Sequence, residues 1–163
     1  MFQPDRISRR AAILNTLAAF FAAVSGLPGH AQQVSATIDA DTLAAFVDIL
    51  LPADDLSPAA SALGVPAELE EFGRDEPQFG RLLAVGTSWL NQTGSGPFHA
   101  LTPGDQALVV DWMSRSDFNQ IPRRFFHLVR LVSIELYYAR PEAIAGFPVA
   151  VAPQPDGYPP PWS

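Results

Sequence analysis

The feature that most constrains the fold is an apolar stretch near the C-terminus, residues 121–138, which reads IPRRFFHLVRLVSIELYY. Pro122 suits the first turn of a helix, neither glycine nor a second proline follows before Tyr138, and Pro141 ends the pattern. The stretch therefore predicts a single helix of about five turns. At 100° per residue its apolar face consists of Phe125, Leu128, Val129, Val132 and Leu136.

The other face of this helix carries a narrow polar stripe. Arg123, His127 and Arg130 form the stripe, and large apolar side chains interrupt it. A helix that is apolar around most of its circumference is either central in a core or buried against two surfaces, one of which belongs to a partner. The side chains that would face such a partner are Phe126, Ile134, Tyr137 and Tyr138.

Apolar residues at helical spacing predict further helices in the rest of the chain. One begins at an N-cap provided by Asp39 or Asp41 and ends at Leu51. A short one runs from an N-cap at Ser57 to Gly64. The other predicted helices cover residues 66–72, closed by Gly73, residues 77–92, and residues 103–113 after an N-cap at Thr102.

The faces of these helices predict how they pack. Gly86 lies on the apolar face of the 77–92 helix, which indicates that a neighbouring helix comes close there. No alternating, strand-like run and no internal repeat occurs, so we predict an all-α fold, a small bundle of about five helices with an extended proline-rich C-terminal tail. The 103–113 helix carries four large apolar residues, Leu108, Val109, Trp112 and Met113.

The N-terminal residues 1–31 predict an export signal. Arg9 and Arg10 precede an uncharged apolar run, residues 11–24, and a small-residue cleavage site ends at Ala31. The paired arginines resemble a twin-arginine signal, although the usual phenylalanine after them is missing. An ordinary secretory signal with two chance arginines is the alternative, and the run is short for a membrane anchor. We therefore expect a periplasmic protein.

The composition changes after residue 146. The final segment, residues 147–163, is rich in proline and shows no periodic pattern, which favours extended or polyproline II conformations. Its aromatic residues favour a partner-binding tail over the alternative of a disordered one. The chain thus divides into a signal (1–31), a helical domain (32–146) and the tail. The tail residues expected to bind a partner are Phe147, Pro148, Gln154, Pro155, Tyr158 and Trp162.

Composition excludes several classes of function. A net charge of −7 over 163 residues argues against nucleic acid and anionic lipid as partners, because neither would be attracted. Since the chain has no cysteine, it cannot form disulfides, thiolate metal sites, covalent c-type haem or a cysteine nucleophile. Any redox role would use a cofactor held in another chain or bound without cysteine.

The sequence also lacks the common catalytic and metal-binding motifs. No histidine follows a glutamate at the spacing that di-metal bundles use, and no glycine-rich nucleotide loop is present. Asp54 and Asp55 lack the ligand spacing of a calcium loop. We therefore predict no catalytic, cofactor-binding or metal-binding residue in this chain. The alternative is an unrecognised site around His127 and Glu135 in a stand-alone helical enzyme or binding protein.

Several motifs in a fixed order carry a family resemblance. They occupy residues 49–58 (ILLPADDLSP), 62–66 (ALGVP), 101–103 (LTP), 137–148 (YYARPEAIAGFP) and 154–158 (QPDGY). In this order they resemble the gluconate 2-dehydrogenase subunit 3 family, whose members accompany flavin-dependent sugar and alcohol dehydrogenases of the periplasm. The resemblance covers most of the chain.

The resemblance implies a noncatalytic small subunit. In such complexes the large subunit is a glucose-methanol-choline (GMC) type flavoprotein that holds FAD and oxidises the substrate, and a multihaem cytochrome c often takes the electrons. The small subunit would hold no cofactor and would assist the maturation and twin-arginine export of its partner. The resemblance further implies that any contact with the inner membrane is made through the complex.

Overall fold

The computed structural model describes residues 37–148, which form α-helices joined by short loops. The five α-helices are α1 (Ala40–Leu50), α2 (Val65–Asp75), α3 (Pro77–Leu90), α4 (Pro103–Arg115) and α5 (Ile121–Tyr138). Single turns of 3-10 helix lie at Ser61–Leu63, Phe98–Ala100 and Pro141–Ala143. Because residues 37–148 contain no strand, the predicted all-α class is confirmed. The predicted signal and the tail beyond Pro148 lie outside the described residues.

Side-chain caps explain where two of the helices begin. The Asp39 carboxylate accepts a hydrogen bond of 2.9 Å from the backbone N–H of Thr42 at the start of α1. The Thr102 hydroxyl accepts one of 3.2 Å from the N–H of Asp105 at the start of α4. Each satisfies a backbone donor that has no partner inside its helix. Both predicted N-caps are therefore confirmed.

Helix α5 is the central element and contacts all four other helices. The ring of Phe125 packs 4.9 Å from the ring of Phe46 in α1. The same ring occupies the space beside Gly86, where a Cβ atom would come within 1.9 Å of it. The close approach predicted at Gly86 is confirmed. The apolar face predicted for α5 is also confirmed, since Phe125, Leu128, Val129, Val132 and Leu136 are all buried.

The prediction that Gly73 ends the helix of residues 66–72 is wrong. Helix α2 continues to Asp75, and Glu76 both ends it and caps α3. Gly73 instead faces Gly80 of α3. A Cβ atom added to Gly80 would lie 2.4 Å from the carbonyl oxygen of Gly73. The two glycines are needed for close packing of α2 on α3.

The predicted helix from Ser57 to Gly64 is also largely wrong. Only Ser61–Leu63 forms a 3-10 turn, which Gly64 ends in the left-handed conformation at φ 75°. Ser61 donates to the carboxylate of Asp48 in α1 through both its N–H and its hydroxyl, at 2.8 and 2.6 Å. These bonds favour a short turn because they hold its first residue against α1.

Helix α4 has two apolar sides, and only one of them faces the core. Val110 and Met113 are buried, Val109 is partly buried, and Leu108 and Trp112 are 69% and 52% exposed. Of the four apolar residues noted in this helix, Leu108 and Trp112 therefore lie outside the core. The helix is apolar on two sides, and the packing partners select only one of them.

Candidate partner interface

A tight turn after α1 begins the candidate site. The Asp54 carboxylate accepts hydrogen bonds from the N–H groups of Leu56 and Ser57, at 2.8 and 2.7 Å, and from the Ser57 hydroxyl at 2.9 Å. These donors, the Leu56 N–H first among them, stabilise the ionised carboxylate and hold the pKa of Asp54 below its ordinary value. The turn leaves the side chain of Leu56 43% exposed.

This carboxylate is used within the turn. Three donors converge on one of its oxygens, which is the geometry of an Asx-type turn. Within residues 37–148 no group of three or more potential metal-binding side chains is found. Asp54 therefore shapes the loop and positions Leu56.

Two contacts fix the turn against the end of α5. The Tyr137 hydroxyl donates a 2.7 Å hydrogen bond to the carbonyl oxygen of Pro58. A Cβ atom on Gly146 would lie 2.2 Å from the carbonyl oxygen of Leu56, so the two backbones touch. Motifs that are far apart in the sequence thus meet at one end of the bundle. We call the accessible part of this junction, formed by Leu56, Tyr138 and Phe147, the tail-end surface.

Arg140 holds the segment after α5 in place. Its guanidinium donates to the carbonyl oxygen of Leu136 at 2.7 Å and forms an ion pair with Glu68 of α2. Because both partners belong to regular helices, the chain leaving α5 is tied to the body of the domain. The tail-end surface is therefore part of the folded domain.

The outer face of α5 changes character along its length. Its first half carries Arg123, His127 and Arg130, and its second half carries Leu131, Ile134 and Tyr138. Leu131 and Tyr138 are 41% and 49% exposed. An apolar stripe that runs into the tail-end surface is typical of a surface used for association. Leu131 was missing from the predicted set, although its position on the helical wheel, 40° from His127, was sufficient to place it there.

The residues predicted to bind a partner occupy three kinds of position. Tyr138 is exposed and Ile134 is half-buried, both on the outer face of α5. Phe126 is half-buried, with the guanidinium of Arg123 5.7 Å from its ring centre. Tyr137 is 2% exposed, so it acts from inside by positioning the turn at residue 58.

The rest of that set lies at or beyond the end of the described chain. Phe147 is half-buried and Pro148 is exposed. The other predicted residues lie outside the described residues: Gln154, Pro155, Tyr158 and Trp162 in the tail, and Arg9 and Arg10 in the signal.

A second exposed apolar cluster joins α3 and α4. The rings of Trp89 and Trp112 are stacked, with centres 5.7 Å apart and planes inclined by 16°. Leu108 lies one turn before Trp112 on the same side of α4. We call these three residues the tryptophan surface. The helical pattern did not predict this surface, because apolar spacing does not show which side of a helix its neighbours cover.

A polar network holds the beginning of α1 to the end of α3. The Asn91 side chain donates to the Asp39 carboxylate at 2.7 Å and accepts from the hydroxyl of the buried Thr42 at 2.7 Å. The Thr42 N–H, followed by Asn91 and the nearby His99 ring, lowers the pKa of Asp39, although partial burial acts in the opposite direction. These bonds fix the point at which the chain enters the domain.

The structure does not bring His127 and Glu135 together. Both side chains are exposed, and eight residues of one helix separate them, which corresponds to about 12 Å along its axis. The His127 ring packs edge-on against Phe118, at 5.6 Å between centres. A shared catalytic site for His127 and Glu135 therefore has no support in this geometry.

The segments around residues 56–58 and 137–146 thus meet at one end of the bundle. The sequence profile of the family described as "Gluconate 2-dehydrogenase subunit 3" matches residues 38–149, more than half of the chain. The chain belongs to this family, which implies a small accessory subunit of a dehydrogenase complex. The resemblance seen in the motifs is confirmed. Comparisons with curated proteins and with solved structures gave no match.

Among the helices of residues 37–148, none has the combination of length and hydropathy that crossing a bilayer requires.

Proposed function

We propose that this chain is the noncatalytic small subunit of a periplasmic, FAD-dependent dehydrogenase complex that oxidises a sugar, polyol or alcohol. The observation that carries the proposal is the family match, which spans the helical domain from residue 38 to residue 149. The main partner is a GMC-type flavoprotein large subunit, which holds FAD and carries out the oxidation. A multihaem cytochrome c is the proposed electron acceptor.

The proposed role of the small subunit is to bind the flavoprotein, assist its maturation and provide its route of export. The signal with Arg9 and Arg10 serves the twin-arginine route, which carries proteins that are already folded. A flavoprotein without such a signal would cross the membrane only while bound to this chain. Any association with the inner membrane then arises through the assembled complex.

The outer face of α5 supports the proposed docking. Leu131, Ile134 and Tyr138 expose apolar area, and burying such area gains about 25 cal/mol per Å². Arg123 and Arg130 precede them on the same face of a chain whose net charge is −7. This arrangement fits a partner surface with an apolar patch beside an acidic one, since opposite charges also guide the encounter.

The tail is proposed to extend the same interface. The described chain ends at Pro148, next to the tail-end surface, so residues 149–163 continue from it. Proline-rich segments lose little conformational entropy on docking. We propose that Gln154, Pro155, Tyr158 and Trp162 bind the flavoprotein together with Phe147 and Pro148.

Deleting residues 147–163 tests this interface. The shortened chain should keep its helical circular dichroism spectrum, because the five helices precede the deletion. It should no longer co-purify with the flavoprotein, and dehydrogenase activity in the periplasm should fall. Undiminished co-purification by the shortened chain would contradict the proposed role of the tail.

Export is tested separately by Arg9→Lys together with Arg10→Lys. These substitutions keep the charge but remove the arginine pair. We expect this chain and the flavoprotein to remain in the cytoplasm together. Normal appearance of both in the periplasm would contradict twin-arginine export through this chain.

A further inference from the structure

In the tryptophan surface, Trp112 and Leu108 are exposed and Trp89 is partly buried against the core. None of the three lies in the proposed flavoprotein interface. Leu108 and Trp112 are the most exposed large apolar side chains within residues 37–148. The stacked indoles join the two helices, and Leu108 lies one turn before Trp112 on the same side of α4. Exposed areas of this kind usually have an occupant.

The position of this surface in the fold indicates which segment is nearest. The N–H of Asp39 donates to the hydroxyl of Thr87 at 3.3 Å, and Asn91 donates to its carboxylate. Trp89 lies between Thr87 and Asn91 in the last turn of α3. At 100° per residue the Trp89 side chain points to the other side of α3 from Thr87 and Asn91, so the N-terminal segment joins the domain about one helix diameter, 10–12 Å, from Trp89. The tail-end surface lies at the other end of α1, because Leu56 follows the C-terminus of that helix.

Charge also distinguishes between possible occupants. Helix α4 has two exposed acids, Asp105 and Asp111, and one exposed base, Arg115, which forms an ion pair with Asp111, and a third exposed acid, Asp117, follows the helix. In the N-terminal segment the apolar run 11–24 follows three bases, Arg6, Arg9 and Arg10. The C-terminal tail beyond Pro148 has one acid and no base. A second copy would place these acids against each other, whereas the N-terminal segment offers bases to the acids and an apolar run to the indoles.

We propose that the tryptophan surface binds the apolar run of residues 11–24 of the same chain before export. The connection is long enough, because residues 25–38 in extended form span up to about 45 Å. Binding would cover an apolar segment that is otherwise exposed to water until the export machinery takes it. Removal of the signal would then leave the surface uncovered. The inference rests on the export signal of the proposed function and adds a binding site for it.

Tryptophan fluorescence tests this site directly. The chain contains three tryptophans, so Trp162→Phe leaves only Trp89 and Trp112 as reporters. In that background we compare the full chain with a chain that starts at Gln32, using acrylamide quenching and the emission maximum. We expect the full chain to have a quenching constant about twofold lower and a blue-shifted maximum, because docking removes indoles from water. Equal quenching in the two chains would overturn the proposal.

Two substitutions in the full chain provide a matched pair. Leu108→Glu places a charge on the tryptophan surface and should raise the quenching constant to that of the shorter chain. Leu131→Glu places the same charge on an exposed leucine of α5 and should leave the quenching unchanged. Circular dichroism checks that both variants are folded. Equal effects of the two substitutions would contradict binding at this surface.

A second copy of the chain or the C-terminal tail, if bound to the tryptophan surface, would give different quenching results. Protection that increases with protein concentration would identify a second copy and overturn the proposal. Protection that is lost on deleting residues 149–163 and kept on removing the signal would identify the tail and also overturn it. Co-purification with the flavoprotein is a separate measurement. Equal quenching would overturn only this inference, whereas a lack of co-purification would contradict the proposed function.

Discussion

Single residues decide how closely neighbouring elements of this domain can approach. Gly80 and Gly146 each face a backbone carbonyl oxygen that lies within 2.4 Å of the position of an added Cβ atom. Backbone atoms in packed elements move little, so a methyl group at either position forces the elements apart. By contrast, Gly96 has no atom within 4 Å of such a position. Only the folded structure distinguishes these glycines, because the sequence shows the same residue type at each.

Gly146→Ala should therefore weaken the domain at the tail-end surface. Overpacking against the carbonyl of Leu56 should lower the free energy of unfolding by about 1–3 kcal/mol. Gly96→Ala is the matched control and should change it by less than about 0.5 kcal/mol, as expected for an open surface position. Urea denaturation measures both values. Equal stability of the two variants would contradict the close contact between residues 56 and 146.

Asp39 should make stability depend on pH in the acidic range. Its pKa is lowered in the folded domain, first by the hydrogen bond from the Thr42 N–H. A carboxyl of this kind contributes stability that is present above its unfolded pKa and is lost as pH falls through the depressed folded pKa. Asn is also a good N-cap residue, so Asp39→Asn removes the charge and keeps the cap.

Denaturation of both proteins between about pH 6 and pH 2 measures this effect, since aspartates titrate in this range. We expect Asp39→Asn to reduce the loss of stability on acidification. An identical loss in the variant and the unchanged chain would show that Asp39 is not a source of the pH dependence.

At the scale of elements, α5 and α4 differ in how far their sequences specify their packing. One side of α5 is continuously apolar, so its period of 3.6 residues fixes the buried face, and the prediction for Phe125 to Leu136 is confirmed. Helix α4 is apolar on two sides, one with Val110 and Met113 and one with Leu108 and Trp112. Which side is buried depends on where the neighbouring helices pack, and the local pattern of α4 does not show this.

The outer face of α5 should tolerate little charge where the partner binds. Leu131→Glu places a carboxylate in the proposed interface and should reduce co-purification of the flavoprotein by about tenfold or more, which corresponds to about 1.4 kcal/mol. Ile121→Glu is the matched control, because Ile121 lies on the same helix, has similar exposure at 47%, and points about 80° further around the axis. Comparable losses in both variants would argue against an interface confined to this face.

At the scale of the whole molecule, the sequence predicted the helices better than the contacts between distant segments. Five helices and their main caps follow from local spacing and from Asp39 and Thr102. The bond from Tyr137 to Pro58 joins residues 79 positions apart, and the contact of Gly146 with Leu56 spans a still longer stretch. Periodicity describes single helices, so it could not place these motifs at one end of the bundle.

The N-terminal and C-terminal segments meet the domain at opposite ends of α1. The N-terminal segment joins the domain beside Thr87 and Asn91, and the tail leaves it beside Leu56, at opposite ends of α1. A partner bound at the tail-end surface would therefore leave the point of entry of the signal free. This separation suits the proposed escort of a folded flavoprotein during export.

The most direct test of the central claim is to purify the tagged chain from the native periplasm and record the absorption spectrum and subunit composition of the product. We expect a larger protein in constant ratio to this chain, with the spectrum of bound flavin and with sugar, polyol or alcohol dehydrogenase activity. We also expect the flavin and the activity to remain with the large protein when the two are separated. A colourless, folded chain recovered alone as a monomer would contradict the claim that it is the small subunit of such a complex.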